Sequence, residues 1–446
     1  MHFQVMTRPA LAVVIGLLAL SCQRPDDGAV VDTSAVQAMI DTMQSPNARV
    51  VGRGIELPVT LPVLDAFFAE STFVAQLKPR LDLTDSQLDS LRQVAREETA
   101  RLRQHEDDGS GMAWAARELA MARINAVIGP EKAARLMALV RYYWSDVSTV
   151  ADTSFADIGS GARDSAMMSA ATTTSNVPTD TRVVVNAPSY RMDVFEGGQL
   201  VRTYPIAIGY PEFPLPTGTR MARSIIFNPT WTAPDEPWVE GDGKTKAGQK
   251  VAAGSKQNPL GIAKIPIGMP SLIHGGKLER NLGGFASHGC VGLTNAQMRD
   301  FSLELSRIGG GKLTDAAIQG FGKRRTVTQV IPFANAVPIE LRYETIMVQG
   351  GAVHVYRDVY DYDTNNETSL AAVLASHGVT MDQLTAAERT MATDALTEMS
   401  RQVGPVGGPR TRADSIAVTR SVTGRKEVVI PVAALAGKGY PAPVLQ

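Results

Sequence analysis

Residues 151–180, ADTSFADIGSGARDSAMMSAATTTSNVPTD, constrain the fold more than any other stretch of the chain. Small and polar side chains dominate it, and no apolar periodicity runs through it. Such a segment buries too little surface to offset the entropy of ordering it, so it reads as a linker. The apolar residues on its two sides must then form separate cores. A length of 446 residues points the same way, to two or three units.

Before the linker the repeat is helical. LTDSQLDSLRQVAREETARLRQ opens with Thr84 and Gln87 at capping-box spacing. Leu88, Leu91, Ala95 and Leu102 then share one stripe. MAWAARELAMARINAVIG reads as helix up to Gly129, and Pro130 starts a second helix in PEKAARLMALVRYYW. A small helical domain is expected over 61–150. It supports the next domain or spaces it from a membrane.

After the linker the period shortens. RVVVNAPSYRMDVFEGGQLVRTYPIAIG gives strands broken at Ala187–Pro188 and at the turn Glu196–Gly197–Gly198–Gln199. NAQMRDFSLELSRI reads as a helix, and strands return in RRTVTQVIPF and PIELRYETIMVQGGAVHVYRDVY. Beyond Asp363 a helical stretch runs from about Ser369 to Val403. GPVGGPRTRAD and a strand-like KEVVIPVAAL follow it. The expected class is α+β: a β-rich domain over 181–363, preceded by the helical domain and followed by a helical and irregular extension over 364–446.

The first 22 residues, MHFQVMTRPALAVVIGLLALSC, place Arg8 before an apolar run from Ala10 to Leu20. The run is too short to span a bilayer and has the length of a signal-peptide core. LALSC suits lipoprotein cleavage, with Cys22 acylated and residues 23–60 as a polar tether. The expected location is the periplasm or cell envelope, with the membrane reached through a lipid anchor. A net charge of −1 gives no polyanion-binding surface, so nucleic acid is not an expected partner. No protein partner is indicated.

With Cys22 lipidated or removed, Cys290 is the remaining cysteine of the chain's two. In an exported protein a leftover cysteine is a reactive thiol or an intermolecular disulfide; the plain alternative is a buried, inert one. Its surroundings, IHGGKLERNLGGFASHGCVGL (273–293), hold His274 and His288 among many glycines. A thiol attacks as thiolate, and a base or a positive environment makes it one. Gly289 permits a tight turn that aims backbone N–H groups at one point, as an oxyanion requires. The layout suits acyl transfer. A zinc site is the weaker option: the His-x-Cys pair is close for one ion, and no Cys-x-x-Cys exists. No metal or organic cofactor is expected. Histidines without a chemical role remain the plain alternative, and His105, His354 and His377 lack any motif context.

IHGG followed by SHGC resembles the signature of the L,D-transpeptidase (YkuD) family. The flanking segments VVVNAPSYRMDVFEGGQLVRTYPIAIG, PLPTGT, NPTWTAP and NPLG resemble that family in order, over roughly residues 181–360. The resemblance implies a β-rich catalytic domain and a peptidoglycan stem peptide as donor. It implies Cys290 as nucleophile and His274 as base, oriented through the carbonyl of Gly275. The amides of His288, Gly289 and Cys290 would form the oxyanion hole, with Ser287 bracing the turn. Trp231 and Tyr204 are candidate cleft residues. The sequence departs from the family at Gly292, where many members have arginine or asparagine. Lys277 and Arg280, in the loop between the motif histidines, are the candidates to replace that contact. Transfer to an amine, hydrolysis by water, and a weakly active wall-binding scaffold all stay open at this point.

Overall fold

The described residues of the computed structural model are 59–104, 113–145, 177–400 and 425–445, apart from 212, 235–238, 240–244, 269 and 361. The signal segment with Cys22, nearly all of the tether, His105 and nearly all of the 151–180 linker lie outside them.

Among the described residues four helices precede the strands: α1 (Leu61–Phe68), α2 (Ser71–Leu81), α3 (Asp85–Gln104) and α4 (Ala113–Ser145). The α3 cap is a reciprocal box. The Thr84 Oγ1 accepts from the Gln87 N–H and the Gln87 Oε1 accepts from the Thr84 N–H, each at 3.1 Å. Leu88, Leu91 and Ala95 are buried as their spacing predicts. α4 breaks at Gly129, whose φ of 78° only glycine adopts cheaply, and Pro130 restarts the helix. Every residue of α1 is buried. A helix buried on all sides, Asp65 included, has partners on all sides. One side belongs to the helical core. On another, Val63 and Ala66 share a small cavity with Phe213, Pro214, Pro270, Ser271, His288 and Gly289 of the strand domain.

The strands are β1 (Arg182–Asn186), β2 (Arg191–Glu196), β3 (Gln199–Pro205), β4 (Ile208–Gly209), β5 (Gly218–Phe227), β6 (Trp231–Thr232), β7 (Lys250–Val251), β8 (Ala263–Pro266), β9 (Leu272–Lys277), β10 (Phe285–Ser287), β11 (Val291–Thr294), β12 (Gln329–Arg342), β13 (Ile346–Gln349), β14 (Ala352–Tyr356) and β15 (Glu427–Pro431). Eight form one mixed sheet in the order β11-β9-β8-β5-β12-β1-β2-β3. The sheet curls. Ala207, just beyond β3 at one edge, exchanges both backbone hydrogen bonds with Gly292 of β11 at the other, each 2.9 Å long. The Gly197–Gly198 turn between β2 and β3 has positive φ at both residues, as a two-residue hairpin favours.

Helix α5 (Asn295–Ile308) covers the sheet, starting where its sequence predicts. A second capping box, Thr294 with Gln297, sets its first turn. Met298, Phe301 and Leu305 are fully buried on its sheet-facing side, each contributing roughly 1.5–3 kcal/mol by removal from water. Helix α6 (Asp315–Lys323) precedes β12.

The described residues of the tail, 364–400 and 425–445, form regular elements, and GPVGGPRTRAD lies outside them. The tail's helical stretch is two helices, α7 (Glu367–Ser376) and α8 (Ala386–Ser400), interrupted at Gly378 with φ 69°. β15 pairs antiparallel with β14, which pairs with β13. Residues on both sides of position 363 therefore build one further core, from Ile346, Val348, Val353 and Val355 to Leu396, Met399 and Ile430. Pairing across some seventy residues is invisible to local pattern. The chain is thus a mixed α+β protein with a curled, strand-rich region flanked by helices on both sides in sequence.

Candidate functional site

β9 carries His274 and lies parallel to β11, with Ile273 opposite Val291 and His274 opposite Gly292. Opposite each other on parallel strands, Gly292 and His274 share a face of the sheet, and Cys290 lies in the turn directly before β11. The thiol of Cys290 is half-buried at the start of β11, and the imidazole of His274 is 4% exposed.

The Nδ1 of His274 lies 2.7 Å from the carbonyl oxygen of Gly275. A carbonyl only accepts, so Nδ1 carries the proton and Nε2 keeps its lone pair as a base. Burial, and then the charge of Lys277, push the imidazole pKa down to about 3, against a smaller upward pull from the Gly275 carbonyl. His274 is therefore neutral at physiological pH.

The turn before Cys290 is latched by Ser287. Its hydroxyl accepts from the Cys290 N–H at 2.6 Å and donates to the Cys290 carbonyl at 2.7 Å. Gly289 sits at φ 85°, where a side chain would be strained. This corrects one expectation. The Cys290 amide is already satisfied by Ser287, so it is not an idle oxyanion donor in this structure. The Gly289 amide points from the same turn and has no hydrogen-bond acceptor among the described residues. Ser287→Ala removes the latch and strands two backbone groups, at a cost of about 1–3 kcal/mol. Thermal unfolding should show the lower midpoint, and turnover should fall with it; an unchanged midpoint would mean that the latch is not used.

His288 is held between aromatic edges, with its ring 5.3 Å from that of Tyr210 and 4.9 Å from that of Phe213. Behind them Tyr360 donates to the Gly209 carbonyl and accepts from the Leu215 N–H, fixing the floor on which the turn rests. Gly209 is obligatory there: a Cβ would fall 2.0 Å from the Phe213 carbonyl oxygen. Sequence reasoning did not single out Tyr210, Phe213, Gly209 or Tyr360. Tyr210 had the signal of an aromatic beside Gly209, and Phe213 and Tyr360 had none.

The cleft candidates separate. Tyr204 is in the core, its ring against Phe301 and its hydroxyl donating to Asp300 at 2.6 Å. That corrects its assignment as a cleft residue: the ring packs into the strand-domain core. Trp231 is half-buried on the separate β6–β7 ribbon. Arg280 is exposed on the short turn Glu279–Asn281. Lys277 alone of these four reaches the thiol's surroundings. Its Nζ donates to the Ala286 carbonyl at 2.5 Å, and its charge acts on both Cys290 and His274.

A curled mixed sheet with a buried neutral imidazole on one strand and a thiol in the turn that leads into the adjacent parallel strand defines a class, that of cysteine–histidine sites built on an α+β domain. Residues 180–306 match the model of the L,D-transpeptidase catalytic domain, YkuD, and this region carries that family's domain. Among solved structures, the catalytic domain of an Enterococcus faecium L,D-transpeptidase is similar at 16% identity. That likeness covers 37% of this chain and 98% of that one, with a TM-score of 0.24. An L,D-transpeptidase from Mycobacterium smegmatis is similar at 15% identity over 36% of this chain and 58% of that one, TM-score 0.23. A carbamoyl enzyme formed by Ldtfm with avibactam is similar at 15% identity and TM-score 0.24, and the chain spans about half of its length (49%). No curated protein matches the chain.

Proposed function

We propose that this protein is a peptidoglycan L,D-transpeptidase that works through a thioester on Cys290. The observation that carries the reading is His274, neutral with Nε2 unprotonated, set opposite Gly292 on the parallel strand that begins directly after Cys290. As the sulfur bonds to the carbonyl carbon of the third stem residue, Nε2 takes the thiol proton. The carbonyl oxygen becomes an oxyanion, met by the Gly289 amide. The carbon–nitrogen bond to the terminal D-residue then breaks, and His274 returns the proton to the departing amine. An amine of a neighbouring stem attacks the thioester and gives its proton to His274. The sulfur leaves and recovers that proton.

Incubation with purified disaccharide-tetrapeptide and mass analysis of the products tests the reading. A cross-linked dimer is the expected product. Tripeptide alone would identify water as the acceptor, and hence a carboxypeptidase. No product of either kind would leave a wall-binding scaffold.

The proposal also places the enzyme in the cell envelope, held by a lipid on Cys22, because LALSC follows a signal-like apolar run. Cys22→Ser should then wash from membranes without detergent. Equal retention of both forms would contradict lipidation.

A further inference from the structure

Gly292 removes the side chain that the family pattern puts two residues after the cysteine, and the space is filled from the neighbouring strand. Between Gly292 and Thr294 β11 advances two residues, while β9 advances three, from His274 to Lys277. The extra residue is a β-bulge, and a bulge re-aims the side chains that follow it. Without it, alternation would place Lys277 on the face opposite His274. Gly276 takes φ 85° within the bulge, and its N–H donates to the Asn295 Oδ1 at 2.9 Å, which ties the bulge to the start of α5. Lys277 is thereby laid over Gly292. A Cβ built on Gly292 would lie 2.7 Å from its Cγ and 2.8 Å from its Cε. The ammonium ends on the Ala286 carbonyl, beside the turn that carries the thiol.

We propose that Lys277 is the positive charge of this site, delivered by the bulge into the space left by Gly292, and that it sets the reactivity of Cys290 by stabilising the thiolate. This rests on the reading of Cys290 as a nucleophile. Two imidazoles also belong to the site: His274, from β9, is neutral, and His288, from the turn, has its ring packed between those of Tyr210 and Phe213. Burial lowers the pKa of Lys277 and Cys290 raises it, as a cation facing an ionisable thiol requires. Gly292 and Lys277 are then a matched pair. An arginine placed at 292 in this chain would collide with the lysine stem rather than restore a missing contact.

The test is the rate of iodoacetamide alkylation of Cys290 in the full chain as a function of pH, read by intact mass. It needs no peptide substrate, so it is independent of the transfer reaction. Lys277→Met should be alkylated about tenfold more slowly at pH 7, with the midpoint of the profile raised by about one unit. Lys277→Arg should restore the wild-type midpoint. Gly292→Ala, whose new Cβ displaces the lysine stem, should move the midpoint the same way as Lys277→Met, and carries the test if that variant does not fold. A folded Lys277→Met or Gly292→Ala protein with the wild-type rate and midpoint would overturn the proposal. A wild-type thiol that follows Lys277 in a protein that makes no peptide product would overturn the transpeptidase reading and leave this one standing.

Discussion

Cys290→Ala should abolish turnover of the tetrapeptide donor while leaving the protein folded. The only other cysteine in the sequence is Cys22, far outside the strand domain in sequence, so no second thiol can take over. The substitution removes one half-buried sulfur and leaves the Ser287 latch intact, because both latch bonds go to backbone atoms of residue 290. Thermal unfolding should therefore stay near the wild-type midpoint while the initial rate falls to background. A Cys290→Ala protein that works at the wild-type rate would remove the assignment altogether.

His274→Gln should lower kcat/KM by about a hundredfold to ten-thousandfold, the usual contribution of a positioned proton carrier. It should also change how stability depends on pH. The folded imidazole pKa is depressed to about 3, whereas an unfolded histidine binds a proton near 6.5. Between those values the unfolded state holds the extra proton, so wild-type stability falls as pH is lowered. The slope contributed by this one residue is at most about 1.4 kcal/mol per pH unit. Glutamine does not titrate, and denaturant unfolding from pH 7 to pH 4 should show a correspondingly flatter dependence. Identical slopes in the two proteins would mean that His274 is not held neutral.

What was legible in the sequence was local. The Thr84–Gln87 box, the break at Gly129–Pro130, the Gly197–Gly198 turn and the extent of α5 all depend on a few adjacent residues, and each falls where the sequence placed it. The turn at Gly289 was legible because glycine permits a tight turn before Cys290, whereas the bracing by Ser287 was implied only by the family resemblance. Long-range events were not legible. The direction of Lys277 depends on a bulge between two strands, and one extra residue in a pairing leaves no mark on periodicity. Tyr204 looked available because alternation along β3 does not say which face the core takes. The engagement of the Cys290 amide turns on where a serine hydroxyl points. The pairing of β14 with β15 joins residues on either side of two helices.

α1 is not merely a spacer, since Val63 and Ala66 line a cavity with His288 and Gly289. Tyr362 packs against both the strand-domain core and the helical core. The linker thus separates the two cores in sequence, while the fold brings one face of the first against the turn that carries the thiol.

The most direct measurement is capture of the acyl-enzyme. Full-length protein is mixed with disaccharide-tetrapeptide, quenched in acid within the first turnovers, digested, and the modified peptide sequenced by mass spectrometry. The predicted result is a single adduct on Cys290, with the mass of the donor less one molecule of the free terminal D-amino acid, labile to hydroxylamine as a thioester is, and absent from Cys290→Ala. Product formation with Cys290 unmodified at every quench time, or an adduct on any other residue, would contradict it.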